Sequence, residues 1–405
     1  MPDDCISIPI MENTSFRRIF GFADLLTMAI MLGTFFSGEG ELFQLLNQGL
    51  AALLVLIYIS CHVRFRLCVP PEFYLAGLFI FWSMLSGMLV AVDRGWVLSY
   101  GLTITRFAIL SLAISGLAMA RRNPARGFMV MTVLMLYLSI WVRTTGKFSE
   151  LMAGSLNYTQ ELTINPNLVG LVMLWGFAGI LFLWKTTTRI ALRAILIVLA
   201  IGCIFTLIST GSRGSFIGFL FFVALWIIFC YGKKLLRNMK SLAMIILVIA
   251  GIYYIAVKVV PQTYLGVKLM RSAEVGGLDE TRTGLYKEAM EMFLSNPVAG
   301  VGLGNFTVHS SFQLYSHSDY AEILSTTGFV GFTLYFPIYI ILWRRIIRIR
   351  KKSNDAKIKY QMGLYKALLL TILAIGIGVP NFLIIHVWFL LALMIGHTYA
   401  LDRDL

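Results

Sequence analysis

The length of its apolar blocks limits this chain more than any other feature. They run for roughly 16 to 23 residues, about what a helix needs to cross the ~30 Å hydrocarbon core of a bilayer. A helix in a soluble core is shorter and keeps a polar stripe. In lipid the backbone has to satisfy its own hydrogen bonds, so these blocks read as helices and not as open strands. Of the 405 residues, 58% are hydrophobic and 13% charged, whereas a soluble domain carries about a quarter charged residues. Residues 1–405 therefore read as a single all-α polytopic membrane domain with about 12 transmembrane helices. The spans fall near 19–36, 42–62, 72–92, 98–120, 127–142, 167–184, 190–209, 214–231, 241–258, 321–343, 365–380 and 382–400.

A net charge of +14 would suit a nucleic-acid partner, but its placement argues against one. Most Lys and Arg sit in short loops between apolar blocks, where orientation signals belong. With the N-terminus cytoplasmic, Arg64, Arg121, Arg126, Lys233, Lys234, the cluster from Arg344 to Lys366 and Arg403 all fall on the inside. The first apolar block is a full span with no small-residue cleavage site after it, so no cleavable signal is expected. The five cysteines contain no C-x-x-C pair and read as small hydrophobes, not as a disulfide or zinc framework. Three segments stand out on the outside: 143–166, the turn 210–213, and 259–320, which is expected to form a loop subdomain with an amphipathic helix.

Topology does not explain the basic residues on the outer side. Arg213 lies in the turn Ser209-Thr210-Gly211-Ser212-Arg213-Gly214-Ser215. Such a turn leaves backbone N–H groups free, and the next helix begins there, so its positive dipole end adds to a forked guanidinium suited to phosphate oxygens. The alternative is an Arg snorkelling from a turn. Arg106 sits about eight residues, or ~12 Å, below the outer end of its span. A charge at that depth faces a cavity or a partner. Within 259–320, Leu285, Ala289, Met292 and Phe293 fall at helical spacing, with Asp279 or Thr281 as cap and Asn296-Pro297 as stop. Arg282 in the first turn opposes the helix dipole, which an anionic ligand explains, as does a salt bridge to Asp279 or Glu280.

The glycine run Ala299-Gly300-Val301-Gly302-Leu303-Gly304-Asn305-Phe306 has neither P-loop nor dinucleotide spacing and reads as a turn packed on the membrane face. His309 and His317 follow it. A His at the membrane boundary beside two Arg has the chemistry of a general base, although an interfacial His is also a common structural residue. Asp319 or Glu322 would orient His317, or else simply cap the next helix. No acidic pair or His cluster has metal-like spacing, so neither a metal nor a cofactor is expected.

In order, Ser-Arg-Gly-Ser at 212–215, Thr281-Arg282 through Tyr286 to the run 296–306, His317-Ser318-Asp319-Tyr320-Ala321-Glu322 with Gly328 and Gly331, and Asn165-Pro166-Asn167 earlier form a pattern. It resembles the O-antigen ligase and O-antigen polymerase superfamily of bacterial membrane glycosyltransferases. The resemblance implies a GT-C type fold with one large periplasmic loop, an inner-membrane location, cytoplasmic termini and a periplasmic active site. It implies an undecaprenyl-pyrophosphate-linked glycan as donor, a lipid A core sugar or a further glycan as acceptor, and inverting, metal-independent transfer between membrane lipids. By the same resemblance, the family's two essential Arg correspond to Arg213 and Arg282 and its essential His to His317. Read with the chemistry above, Arg213 and Arg282 are expected to bind the pyrophosphate and His317 to act as base, with Arg106 a further pyrophosphate candidate. One departure is Ser318, where family members commonly have Asn. The tight Arg213 turn and the single large loop look more similar to the ligase branch. A polymerase uses the same residues, and a lipid-linked sugar transporter is a distant alternative.

Overall fold

The computed structural model describes residues 14–36, 41–65, 68–121, 123–144, 165–235 and 280–405, with short pieces at 265–266 and 270. Among the described residues there are helices and no strands. They are α1 (Thr14–Phe36), α2 (Glu41–Phe65), α3 (Pro71–Val90), α4 (Arg94–Arg121), α5 (Ala125–Thr144), α6 (Pro166–Thr186), α7 (Ile190–Ser209) and α8 (Arg213–Leu235). Within the expected loop 259–320 lie α9 (Glu280–Ser295) and α10 (Phe306–His309), and at its end and beyond come α11 (Asp319–Tyr335), α12 (Pro337–Lys352), α13 (Ala356–Ile375) and α14 (Ile385–Asp404).

By length and composition, nine helical runs among the described residues can cross a membrane, with α11 and α12 counted as one run. Shorter apolar stretches lie at Gly21–Gly33 and Leu45–Ser60. The chain is a multi-pass membrane protein. The expected span 241–258 and most of the outer segment 143–166 lie outside the described residues.

The bundle has two chemically different ends. At one, Arg121 and Arg126 both reach Asp24, Arg348 pairs with Asp402 at 2.8 Å, and buried Arg345 pairs with buried Glu72 at 2.8 Å. A buried pair of this kind offsets a desolvation cost that neither charge meets alone. At the other end, here called the site face, loops are drawn into the bundle. Buried Asn305 accepts from the Asp93 N–H at 2.8 Å and donates to the Asp93 carbonyl at 2.9 Å. This ties the glycine run to the turn between α3 and α4.

The glycine run does not lie on the membrane surface as expected. It fills a break in α11. Gly328 adopts φ 67°, ψ −170° inside that helix, a conformation open essentially to glycine. The chain doubles back there. Tyr320 and Phe336 stack at 5.0 Å between ring centroids, although sixteen residues of straight helix would separate them by about 24 Å. The expected span 321–343 is therefore not one rod. Residues 319–327 form a half-helix lying beside the start of the run that continues from Phe329 through α12. Periodicity and hydropathy miss this, because both halves are apolar.

A break inside a bundle frees backbone groups that need partners. Val301 N–H donates to Ser325 O at 2.9 Å, Gly302 N–H to Thr326 O at 3.0 Å, and Phe329 N–H to Pro297 O at 2.8 Å. Trp82 Nε1 donates to Thr327 O at 3.0 Å. The glycines give the clearance for this: a Cβ on Gly300 would come within 2.4 Å of the Thr326 backbone.

Two further expectations are corrected. The last two spans are separated by a connector, 376–384, with a single 3-10 turn at Asn381–Leu383, and not by Asn381 alone. Cys203 and Cys230 are free, but Cys68 is disulfide-bonded. The lack of a C-x-x-C pair has no bearing on cysteines spaced more widely.

Candidate functional site

Arg213 is the first residue of α8, and the turn before it is built by its own hydroxyls. Gly211 takes φ 62°. Ser212 Oγ caps the helix by accepting from the Ser215 N–H at 3.3 Å, and Ser212 N–H donates to Thr210 Oγ1 at 3.3 Å. The expectation of a turn with open N–H groups is thus corrected at Ser212 and Ser215, whose N–H groups the turn itself satisfies. Ser215 Oγ donates to Asn167 O at 3.1 Å. Asn165 in turn caps α6 through the Asn167 N–H, with Pro166 following at a position that needs no donor. The N-termini of α6 and α8 are therefore joined at the site face, with the half-buried Arg213 at the junction.

Arg282 is in the first turn of α9, which ends at Ser295 before Asn296-Pro297 as the sequence predicts. Leu285, Ala289 and Met292 bury one stripe of α9 against Val301 and Phe306. Tyr286 OH donates to Ile377 O at 2.7 Å, and the Arg282 guanidinium lies over Gly378, 3.4 Å from where a Cβ would stand. Among the described residues no carboxylate is within ion-pair distance of Arg282. Asp279 and the side chain of Glu280, its expected salt-bridge partners, lie outside them.

The strap 310–318 carries His317. Glu288 holds its start by accepting from the Ser310 and Ser311 hydroxyls and the Ser311 N–H. Slight burial works against ionisation of Glu288, but these donors outweigh it and keep the carboxyl below its usual range. His317 itself sits at φ 55°, a left-handed conformation that non-glycine residues adopt mainly where the surroundings enforce it. Here the enforcement is visible. The buried Glu322 carboxylate accepts from Ser316 N–H at 2.8 Å, and Ser316 Oγ donates across His317 to Ser318 O at 3.1 Å. Ser318 caps α11 by accepting from Ala321 N–H, a role that Asn fills equally well. Asp319 is committed elsewhere: its N–H donates to Gly376 O at 2.7 Å and its carboxylate accepts from Phe382 N–H at 3.0 Å.

The ring of Tyr315 lies 4.0 Å from that of His317, centroid to centroid, tilted by 44°. Burial raises the Tyr315 hydroxyl above its ordinary range, Glu322 adds to the rise, and Arg282 opposes it. Arg282, Tyr315, His317 and Glu322 therefore form one cluster at the site face. It combines a fixed cation with an imidazole, the pairing needed to stabilise a leaving anion while removing a proton.

Residues 195–336 match the family model described as O-antigen ligase. The chain carries a domain of the O-antigen ligase family. This family comprises membrane glycosyltransferase-like enzymes, ligases and polymerases. The O-antigen ligase segment runs from within α7 to the end of α11 and includes Arg213, Arg282, His317 and Gly328. No curated protein matches the chain.

Two further candidates are not brought into contact with this cluster among the described contacts. Arg106 is exposed on α4 and donates to Thr103 Oγ1 of its own helix at 3.2 Å. His309 is exposed at the end of α10. Among the described residues no three His, Cys, Asp or Glu side chains gather to hold a metal. Sequence reasoning missed Tyr315 and the connector 376–378. Tyr315 had no signal, since the left-handed turn at His317 breaks the alternation that would relate the two side chains. The connector had none, because its part is played by backbone.

Proposed function

We propose that the protein is an O-antigen ligase. It transfers a glycan from undecaprenyl pyrophosphate to a lipid A core sugar hydroxyl at the periplasmic face of the inner membrane, with inversion and without a metal. The observation that carries this reading is the grouping of Arg282 and His317 around Tyr315, within the family-matched segment and at the face where α6 and α8 begin. A transporter site is instead expected near the bilayer midplane in repeated halves.

The donor's isoprenoid tail lies in lipid and its pyrophosphate meets Arg213 and Arg282, with Arg106 at the approach. The acceptor oxygen attacks the anomeric carbon from the side opposite the pyrophosphate and gives its proton to His317. The sugar–phosphate bond breaks with its electron pair going to the leaving pyrophosphate, where fixed guanidinium groups stabilise the new charge. Arg takes the part that a divalent metal has elsewhere, so EDTA leaves the rate unchanged. Strong inhibition reversed by magnesium or manganese defeats that part of the reading.

The deciding experiment reconstitutes the purified protein with labelled undecaprenyl-pyrophosphate glycan and offers either lipid A core or more donor. A single transfer to the core supports the ligase. A ladder of longer lipid-linked products identifies a polymerase with the same residues.

A further inference from the structure

We propose that Tyr315 is a positioning residue that fixes the His317 imidazole relative to Arg282, an inference that rests on His317 being the base. The Glu322 and Ser316 bonds act on the backbone around His317 and not on its ring. The Tyr315 ring lies against it at 4.0 Å. The hydroxyl of the same ring lies in the fields of Arg282 and Glu322. One rigid side chain thus touches the base and borders the cation.

Inverting transfer makes this spacing matter. The base meets the nucleophile on one side of the anomeric carbon, and the guanidinium meets the leaving group on the other. In that step the acceptor proton moves to His317, the new bond forms from the acceptor oxygen, and the sugar–phosphate electrons leave with pyrophosphate. Tyr315 exchanges no proton. Its contribution is geometric, and a misplacement on the order of 1 Å costs about 100-fold in rate.

The test measures kcat and donor KM of the full-length protein in proteoliposomes for Tyr315→Ala, Tyr315→Phe and His317→Ala, with thermal unfolding in detergent as a folding check. Tyr315→Ala is expected to lower kcat roughly 10- to 100-fold while donor KM stays near that of the parent. Tyr315→Phe keeps the ring and restores most of the loss. The inference is overturned if Tyr315→Ala turns over like the parent, if donor KM rises in step with the loss of kcat, or if Tyr315→Phe is as impaired as Tyr315→Ala. If His317→Ala retains turnover, the base reading falls and this inference with it. An inactive His317→Ala beside a parent-like Tyr315→Ala sinks this inference alone.

Discussion

The Tyr335 hydroxyl donates to the Asp319 carboxylate at 3.4 Å, although the two are sixteen positions apart along a nominal helix. Only a chain that reverses at Gly328 brings the two together. Asp319 also holds the connector through Phe382 N–H and Gly376 O, and Tyr335 continues to Tyr339 at 2.9 Å. The strap carrying His317, the connector beneath Arg282 and the long run through α12 therefore meet at one carboxylate.

Gly328→Ala tests that reversal. A Cβ there would come within 2.2 Å of the Val298 carbonyl and would carry φ 67°. The backbone strain alone costs on the order of 1–3 kcal/mol, and the clash adds to it. A lower unfolding temperature in detergent and loss of transfer are expected. A variant as stable and active as the parent would show that the fold-back is not needed.

Arg213→Ala and Arg282→Ala each remove a fixed cation from the developing pyrophosphate charge. Each is expected to lose about 2–4 kcal/mol of transition-state stabilisation, read as a fall in single-turnover rate with membrane insertion intact. Arg282→Lys keeps the charge but loses the fork and recovers only part of the rate. Normal transfer by either Ala variant would remove that residue from the site.

Acid should loosen the strap. The Glu288 carboxyl is depressed in the folded protein by the Ser310 and Ser311 donors. Its contribution is therefore complete above the unfolded value of about 4.3, and it is lost as pH falls through the lower folded value. Hydrogen exchange at residues 310–312 is expected to quicken below roughly pH 4 relative to the rest of the site face. Glu288→Gln, which carries no titrating group, should flatten that pH dependence. An unchanged profile in Glu288→Gln would assign it to another group.

Much of the fold was legible because membrane insertion is a local property. Hydropathy marked the helices residue by residue, and Asn296-Pro297 stopped α9 where expected. The placement of Arg213 was legible for the same reason, since a helix start is written in Ser212 and Ser215. The fold-back at Gly328 was not. Ser325-Thr326-Thr327-Gly328 reads as a tolerable polar patch in an apolar run, and what bends it is a partner some twenty-five residues earlier that supplies matching donors and acceptors. Tyr315 was hidden for a related reason: its part depends on the left-handed turn at His317, which Glu322 imposes from the next helix.

The pairing of 297–302 with 325–329 also governs how the chain tolerates change in length. Val301 and Gly302 donate to Ser325 and Thr326, and Phe329 donates back to Pro297, so a single-residue insertion or deletion between Asn296 and Phe329 shifts either the pairing or the strap that presents His317. Among homologues this stretch should be nearly free of gaps, with length variation displaced to other parts of the sequence.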